Sequence, residues 1–370
     1  MRSWLSWLPD RHQGYDQLST RIKPNLKQLS LVIIQWILAT LILGVVVFFC
    51  LFQVDLNSHI SIRSSFSSNR PSAGPLSSRC SHRFSQTRHV GIIPSVPVKE
   101  ADVCFDYAKL IQSSNASDTL FHTYWSSDIT PDWTQNQLAT LRSFLATQPS
   151  TTRLYVWTPT EDRQLAIDHP RIQLKSTSLL HFERQPPANH LPSMVKLLSL
   201  YEYGGVWMDL DVLLVRDLSP LLYQEWLSQS SCHEKSQLIR TTDARFTGAL
   251  MHFFPKSPYL CEMVSVANEE LRGKGHGLEP LASLGPPLYE RVYYRMLEHQ
   301  LTPWAVLPWC FTDPSQCTQA NSITSLFSKR LSEKDKAKVK AVFAYHYHQQ
   351  WYVSPGALFN YLDQLYKQMT

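Results

Sequence analysis

A double glycine separates a helical pattern from a strand-like one, and two aspartates follow at once. The segment is Lys196-Leu-Leu-Ser-Leu-Tyr-Glu-Tyr-Gly-Gly-Val-Trp-Met-Asp-Leu-Asp-Val-Leu-Leu214. Gly204 supplies a left-handed helix stop, and Gly205 lets the chain turn tightly into the next strand. On a strand, Asp209 and Asp211 share one face, while Val206, Met208, Leu210 and Val212 share the other. Two acids on one face of a core strand repel each other unless a cation or hydrogen bonds offset the cost. A hard divalent ion, Mn²⁺ or Mg²⁺, suits such oxygen ligands.

The rest of the 370-residue chain is uneven. Leu31 to Phe52 carries no charge. At about 1.5 Å per residue it is long enough for a hydrocarbon core of roughly 30 Å. Arg2, Arg11, Arg21, Lys23 and Lys27 precede it and the first charge after it is Asp55. The positive-inside rule then predicts a cytosolic N-terminus and a lumenal body. A cleaved signal peptide would have a shorter apolar region nearer the start. The expected organisation is a cytosolic tail over 1–30, a transmembrane anchor over 31–52, a flexible Ser/Pro/Arg-rich stem over 53–100, and a lumenal domain over 101–370.

Residues 1–100 hold 11 Lys/Arg against 4 Asp/Glu, and residues 101–370 hold 24 against 26. The body is close to neutral, which argues against a nucleic-acid partner. Lumenal placement makes disulfides the expected state of the cysteines. Cys310 and Cys317, which close a short loop, are the expected pair; the other pairings stay open. No C-x-x-C spacing points to zinc. Asn115-Ala-Ser117 is a glycosylation sequon.

Alternating patterns predict an α/β sheet. Strands are expected at Leu120–Trp125, Arg153–Trp157, Arg171–Leu174, Gln237–Arg240, Phe246–Phe254, Ala305–Pro308 and Val342–Tyr345. Helices are expected at Gln135–Thr147, Ser193–Tyr203 and Pro258–Leu271, and from Leu288 to about His299. Lys329–Lys340 reads as a solvated helix face.

Phe121-His-Thr-Tyr-Trp125 together with Leu200-Tyr-Glu-Tyr-Gly-Gly-Val-Trp-Met-Asp-Leu-Asp211 resembles the glycosyltransferases with a DXD sugar-binding region. These form glycosyltransferase family 32, with its Golgi α-1,6-mannosyltransferases and α-1,4-galactosyltransferase relatives. The resemblance spans roughly Leu120 to Trp351. It implies a GT-A-like (Rossmann-like) mixed sheet with helices on both faces, preceded by one transmembrane helix. It implies a type II Golgi membrane enzyme that moves a hexose or N-acetylhexosamine from a nucleotide-sugar donor to a glycan, glycolipid or glycoprotein acceptor, with Mn²⁺ or Mg²⁺. By resemblance Asp209 and Asp211 are the catalytic pair and, with His346, the metal ligands; His348 is the alternative histidine. Donor contacts carry over to His122, Ser193, Lys196, Gly204, Gly205, Trp207, Gly285 and Trp351.

The chain departs from the family's Ser-Asp-x-x-Arg. Ser193 stands where the acid belongs and Lys196 where the arginine belongs. Lysine keeps the charge but loses the bidentate fork. This motivates the alternative of an inactive membrane-anchored sugar-binding or scaffold relative. A phosphotransferase built on Asp-x-Asp would want Thr or Val where Leu213 stands. The family retains anomeric configuration; the sequence singles out no nucleophile, with Asp243 and Glu262 the acids near later strands. It carries no signal for an oligomeric state.

Overall fold

The computed structural model describes residues 32–48, 52–55, 61–64, 74–84, 103–112, 118–159, 165–230, 246–273, 283–315, 317 and 322–369. They fall into two units, Met1–Pro71 and Ser72–Thr370. In the first, residues 32–48 are helical (α1), with the side chains of 32–47 exposed. β1 (Phe52–Asp55) pairs antiparallel with β2 (Ser61–Ser64). No described helix is long and apolar enough to cross a membrane.

The second unit continues with α2 (Ser81–Phe84), α3 (Val103–Leu110), β3 (Leu120–Tyr124), α4 (Gln135–Thr147), β4 (Arg153–Thr158) and β5 (Ile172–Ser176). Then come α5 (Leu191–Tyr203), β6 (Gly205–Met208), β7 (Val212–Leu214), β8 (Trp226–Gln229), β9 (Phe246–Phe253), α6 (Pro258–Leu271) and α7 (Pro286–Glu298). β10 (Ala305–Leu307), α8 (Trp309–Thr312), α9 (Glu333–Val339), β11 (Ala344–His346) and α10 (Ala357–Met369) complete it.

Among the described residues, seven strands form one sheet in the order β10-β8-β9-β6-β3-β4-β5. β9 runs antiparallel to its neighbours β6 and β8, and every other pairing is parallel. From β3 the chain steps outward to β4 and β5, then returns through α5 to place β6 on the other side of β3. That reversal is a topological switch point, where the crevice at the carboxyl ends of the strands accepts ligands. Asp209 follows the last residue of β6.

Strand alternation splits the core into two layers. Leu154, Val156, Val206 and Met208 join a cluster with residues of α3, α4, α8 and α10. Trp157, Trp207, Met251 and Phe253 join residues of α5, α6 and α7. A capping box starts α4, with Thr134 and Gln137 each accepting from the other's backbone N–H.

The two glycines after α5 are needed by close packing. Gly205 has φ +100°, and a Cβ there would lie 2.1 Å from the Leu120 carbonyl oxygen on β3. At Gly204, φ is +67° and a Cβ would meet Pro255 Cδ at 2.4 Å. Both sit at the amino end of β6.

Three expectations need correction. Asp209 and Asp211 do not share one strand: β6 stops at Met208, a turn closes with Val212 N donating to Asp209 O at 3.1 Å, and β7 resumes the chain beside β11. Cys310 does not pair with Cys317: it bonds Cys104, linking α8 to α3, because both face the same core layer. Cys317 is disulfide-bonded to another partner. The expected stem over 53–100 is not flexible throughout: Cys80 ties α2's segment to Cys261 on α6. Closing loops with separations of 181 and 206 residues stabilises the fold by about 5 kcal/mol each in the chain-entropy model. The strand expected at Gln237–Arg240, the sequon at Asn115 and Asp243 lie outside the described residues.

Two stability tests arise here. Gly205→Ala puts a Cβ into the Leu120 carbonyl at positive φ and should cost about 3 kcal/mol or more, read by denaturant unfolding; a loss under ~0.5 kcal/mol would contradict the close approach. Glu225 is buried, and burial pushes its carboxyl from 4.5 up to about 7, against the opposing Phe254 N–H bond. A raised carboxyl contributes its full stability below pH ~4.5 and loses it as pH rises through ~7. Between pH 5 and pH 8 the wild type should therefore lose on the order of 3 kcal/mol relative to Glu225→Gln; parallel stability profiles for the two would refute the assignment.

Candidate active site

Asp209 and Asp211 leave β6 in opposite directions. Asp209 turns toward α5: its Oδ1 accepts from Trp207 Nε1 at 2.6 Å, and Lys196 Nζ lies 3.1 Å from the same oxygen. Lys196 also donates to Gly248 O at 2.8 Å and sits 5.2 Å from the Trp207 ring centroid. The Asp209 side chain keeps 35% exposure, so its carboxylate borders the crevice. Desolvation holds its pKa above the ordinary value; the Asp211 charge adds to that and Lys196 opposes it.

Asp211 turns the other way and is buried, with 3% side-chain exposure. Its Oδ2 accepts from Gln349 N at 2.6 Å and lies 3.2 Å from His346 Nε2. Its Oδ1 is buried and has no hydrogen-bond partner. Burial works against its charge, but His346, the Gln349 amide and Lys196 hold the carboxyl below its usual range.

His346 ends β11, which pairs with β7, so the ladder that places Val212 opposite His346 also delivers the imidazole to Asp211. The other ring nitrogen, Nδ1, lies 3.4 Å from Asp313 Oδ2, and His348 Nε2 lies 3.0 Å from that oxygen. Burial pulls His346 down, but Asp211 and Asp313 together lift it to about 10. Ligand atoms of Asp313, His346 and His348 all lie within 4.8 Å of one another. His348 and Gln349 both have positive φ, +52° and +57°. Two consecutive non-glycine residues in that region mark a strained turn.

A divalent ion fits this place. The unpaired Asp211 Oδ1 is a buried anionic oxygen, which costs free energy unless something positive meets it. Carboxylate oxygens with imidazole nitrogens form a donor set suited to Mn²⁺. Asp211 and His346 through Nε2 would hold the ion, with Asp313 and His348 against the imidazole's other nitrogen, whereas Asp209 is engaged by Lys196 and Trp207.

The structure brings Asp209, Asp211, Lys196, Trp207 and His346 together. Ser193 sits one turn before Lys196 on α5, partly buried. Gly285 starts α7, and that helix carries Tyr289, whose hydroxyl lies 2.5 Å from where a Cβ on Gly248 would stand. Trp351 follows the histidine segment, and its buried Nε1 has no partner. His122 is not part of the group. It is fully buried, with Nε2 on Gly204 O at 2.8 Å and Nδ1 accepting from Trp157 Nε1 at 3.2 Å. Burial lowers its pKa to about 4 despite the Gly204 bond. Gly204 and Gly205 serve packing at the far end of β6.

Sequence reasoning missed Asp313. The segment Cys310-Phe-Thr-Asp-Pro-Ser-Gln-Cys317 drew attention only for its cysteines. An acid between a half-turn of helix and a proline was its one visible signal.

Residues 104–232 match the model of the glycosyltransferase sugar-binding region containing the DXD motif. This region covers about a third of the chain and includes Asp209 and Asp211. Among solved structures, galactosyltransferase LgtC in complex with donor and acceptor sugar analogues is similar at 12% identity and TM-score 0.39, over 68% of this chain and 96% of that one. The glycosyltransferase GlyE of Streptococcus pneumoniae TIGR4 is similar at 11% identity and TM-score 0.37, over 69% and 61%. PaToxG glycosyltransferase is similar at 11% and 0.31, over 71% and 92%. No curated protein matches the chain. The chain thus carries a region similar to the DXD sugar-binding region of glycosyltransferases.

Asp313→Asn should weaken Mn²⁺ binding 10- to 100-fold, as loss of a metal ligand or its supporting carboxylate does elsewhere. Free Mn²⁺ counted by electron paramagnetic resonance measures it, and unchanged binding would remove Asp313 from the site.

Proposed function

We propose that this enzyme is a metal-dependent, GT-A-like glycosyltransferase that retains anomeric configuration. It moves a hexose or N-acetylhexosamine from a nucleoside-diphosphate sugar to a glycan, glycolipid or glycoprotein acceptor. The observation that carries this reading is the buried, unpaired Asp211 Oδ1 next to His346, at the carboxyl end of β6 where the sheet reverses direction.

When bound, a divalent ion held by Asp211 and His346, with Asp313 and His348 backing the imidazole, would supply Lewis-acid neutralisation of the diphosphate leaving group. The chain's own residues do the rest. Lys196 and Trp207 fix the rotamer of Asp209, leaving its exposed edge to accept hydroxyl hydrogens of the donor. The reaction breaks the bond from the anomeric carbon to the diphosphate oxygen and forms one to the acceptor oxygen on the same face. The acceptor's proton passes to the departing diphosphate. Glu262 is excluded as a nucleophile, because it is fully buried and paired with Arg295.

We place the enzyme as a single-pass type II protein of the Golgi membrane, with the catalytic unit lumenal. The support is the uncharged run Leu31–Phe52 and the exposed apolar side chains of α1, such as Leu41 at 61% and Leu43 at 62%. Apolar surface all round a helix calls for a lipid or protein partner. The disulfides of the second unit, Cys80–Cys261 and Cys104–Cys310 among them, suit an oxidising compartment.

A donor panel of UDP-galactose, UDP-N-acetylglucosamine and GDP-mannose, followed by nucleotide release with Mn²⁺ or with a chelator, tests the reading. One donor should turn over with metal only, and Asp211→Asn should lower that rate at least ~100-fold. Binding of donors with no turnover of any would favour a sugar-binding scaffold instead, the outcome that Ser193 and Lys196 motivate.

A further inference from the structure

The histidine segment that completes the candidate site does not hold itself in place. It turns through two left-handed residues, His348 and Gln349, before reaching Trp351. A turn of that kind persists only where its surroundings over-determine it. The surroundings come from α4, which lies outside the matched motif's aspartates and contributes no group to the site.

One face of α4 carries Asn136, Thr140 and Ser143, at i, i+4 and i+7, all buried. Each side chain bonds a backbone group next to the site. Asn136 Nδ2 donates to Gln350 O at 2.9 Å and to Val353 O at 3.0 Å. Both partners are carbonyls, so only the amide's NH₂ fits there. Thr140 Oγ1 donates to Leu210 O at 3.0 Å, the carbonyl between the two aspartates. Tyr347 OH donates to the same carbonyl at 2.7 Å and lies 3.2 Å from Thr140 Oγ1. Ser143 Oγ accepts from Leu214 N at 3.0 Å, at the end of β7.

β7 has a single ladder partner, β11, among the described residues. Its other edge is buried and would leave backbone groups unpaired, at the cost that attaches to any buried orphan. On that edge Tyr366 OH of α10 donates to Leu214 O at 2.8 Å, and the α4 side chains serve Leu214 N and, in the turn before the strand, Leu210 O. They also reach past it to the turn on the far side, through Asn136. The Asp-Leu-Asp turn and the histidine turn are therefore fastened to one rigid helix. Tyr347 N donating to Asp211 O at 2.8 Å and Gln349 N donating to Asp211 Oδ2 at 2.6 Å close the frame.

We propose that Asn136, supported by Thr140, is a positioning residue for the metal site. It holds residues 347–353 so that the Gln349 amide, His346 and His348 stay in register with Asp211 and Asp313. This rests on the metal-site reading above, but its structural half can be tested without metal.

The experiment compares Asn136→Ala with Arg142→Met in the full chain. Arg142 lies on another face of α4 and pairs with Asp363 of α10 at 2.6 Å, so its loss perturbs the same helix without touching the turn. Two quantities are read: the Mn²⁺ dissociation constant, and metal-free amide exchange in residues 347–353. Asn136→Ala should weaken Mn²⁺ at least ~10-fold, in the range of outer-shell substitutions, and speed exchange in that segment. Arg142→Met should do neither, even where it lowers thermal stability as much. Wild-type Mn²⁺ affinity in Asn136→Ala, or equal weakening by Arg142→Met, overturns the proposal. If Asn136→Ala does not fold, Thr140→Val replaces it, with a ~3-fold or greater weakening expected and none contradicting. If the wild type binds no Mn²⁺, the metal reading fails; the exchange data then decide the positioning claim alone, and equal exchange in both variants overturns it.

Discussion

A carboxylate with one oxygen spent and the other left bare is the constraint on which this structure turns. Asp211 is withdrawn from solvent, accepts from the Gln349 amide and meets His346 through Oδ2, and presents Oδ1 to nothing. An anion in that state persists only if the fold over-determines its position. The fold does so from three directions. β7 pairs with β11, α4 side chains fasten the opposite edge, and the backbone of Tyr347 and Gln349 closes over the aspartate. His346, Asp313 and His348 then gather beside it.

The second aspartate does different work because it faces a different layer. Alternation along β6 sends Trp207 toward α5, and Asp209 follows it, meeting Lys196. Two acids two residues apart thus acquire opposite electrostatic environments. Asp211 is held below its ordinary range and Asp209 above it. Neighbouring titratable groups whose environments push them apart are a common mark of divided chemical labour. Here one carboxylate faces the candidate cation site, and the other borders the crevice with Lys196 across both of its oxygens.

Much of the frame was legible in the sequence, for physical reasons that can be named. Gln135–Thr147 and Pro258–Leu271 came out with the ends the spacing suggested, because each combines a start signal with an apolar stripe. Most sheet strands were visible as short β-branched and aromatic runs, but β8 (Trp226–Gln229) was not among those expected. The double glycine marked a helix stop and a tight turn; the close approaches to Leu120 and Pro255 that it permits were not visible. What stayed hidden was non-local. Asp313 joins His346 and His348 across more than thirty residues of chain, and no local pattern encodes that meeting. Cys310 found Cys104 across a separation of 206, where proximity in sequence had favoured Cys317. His122 looked available on its strand, but the core closed over it with both ring nitrogens engaged. The Asp-x-Asp spacing suggested one strand face, and the turn after Met208 sent the two side chains apart.

The central claim is that Asp211 Oδ1 is bare because a cation belongs against it. Anomalous X-ray diffraction from crystals grown with Mn²⁺ and a nucleoside diphosphate tests it most directly. The account predicts one manganese peak in direct coordination to Asp211 Oδ1, with His346 as a further ligand and Asp209 still on Lys196. A manganese peak bound elsewhere, with Asp211 Oδ1 still facing only protein, would contradict it.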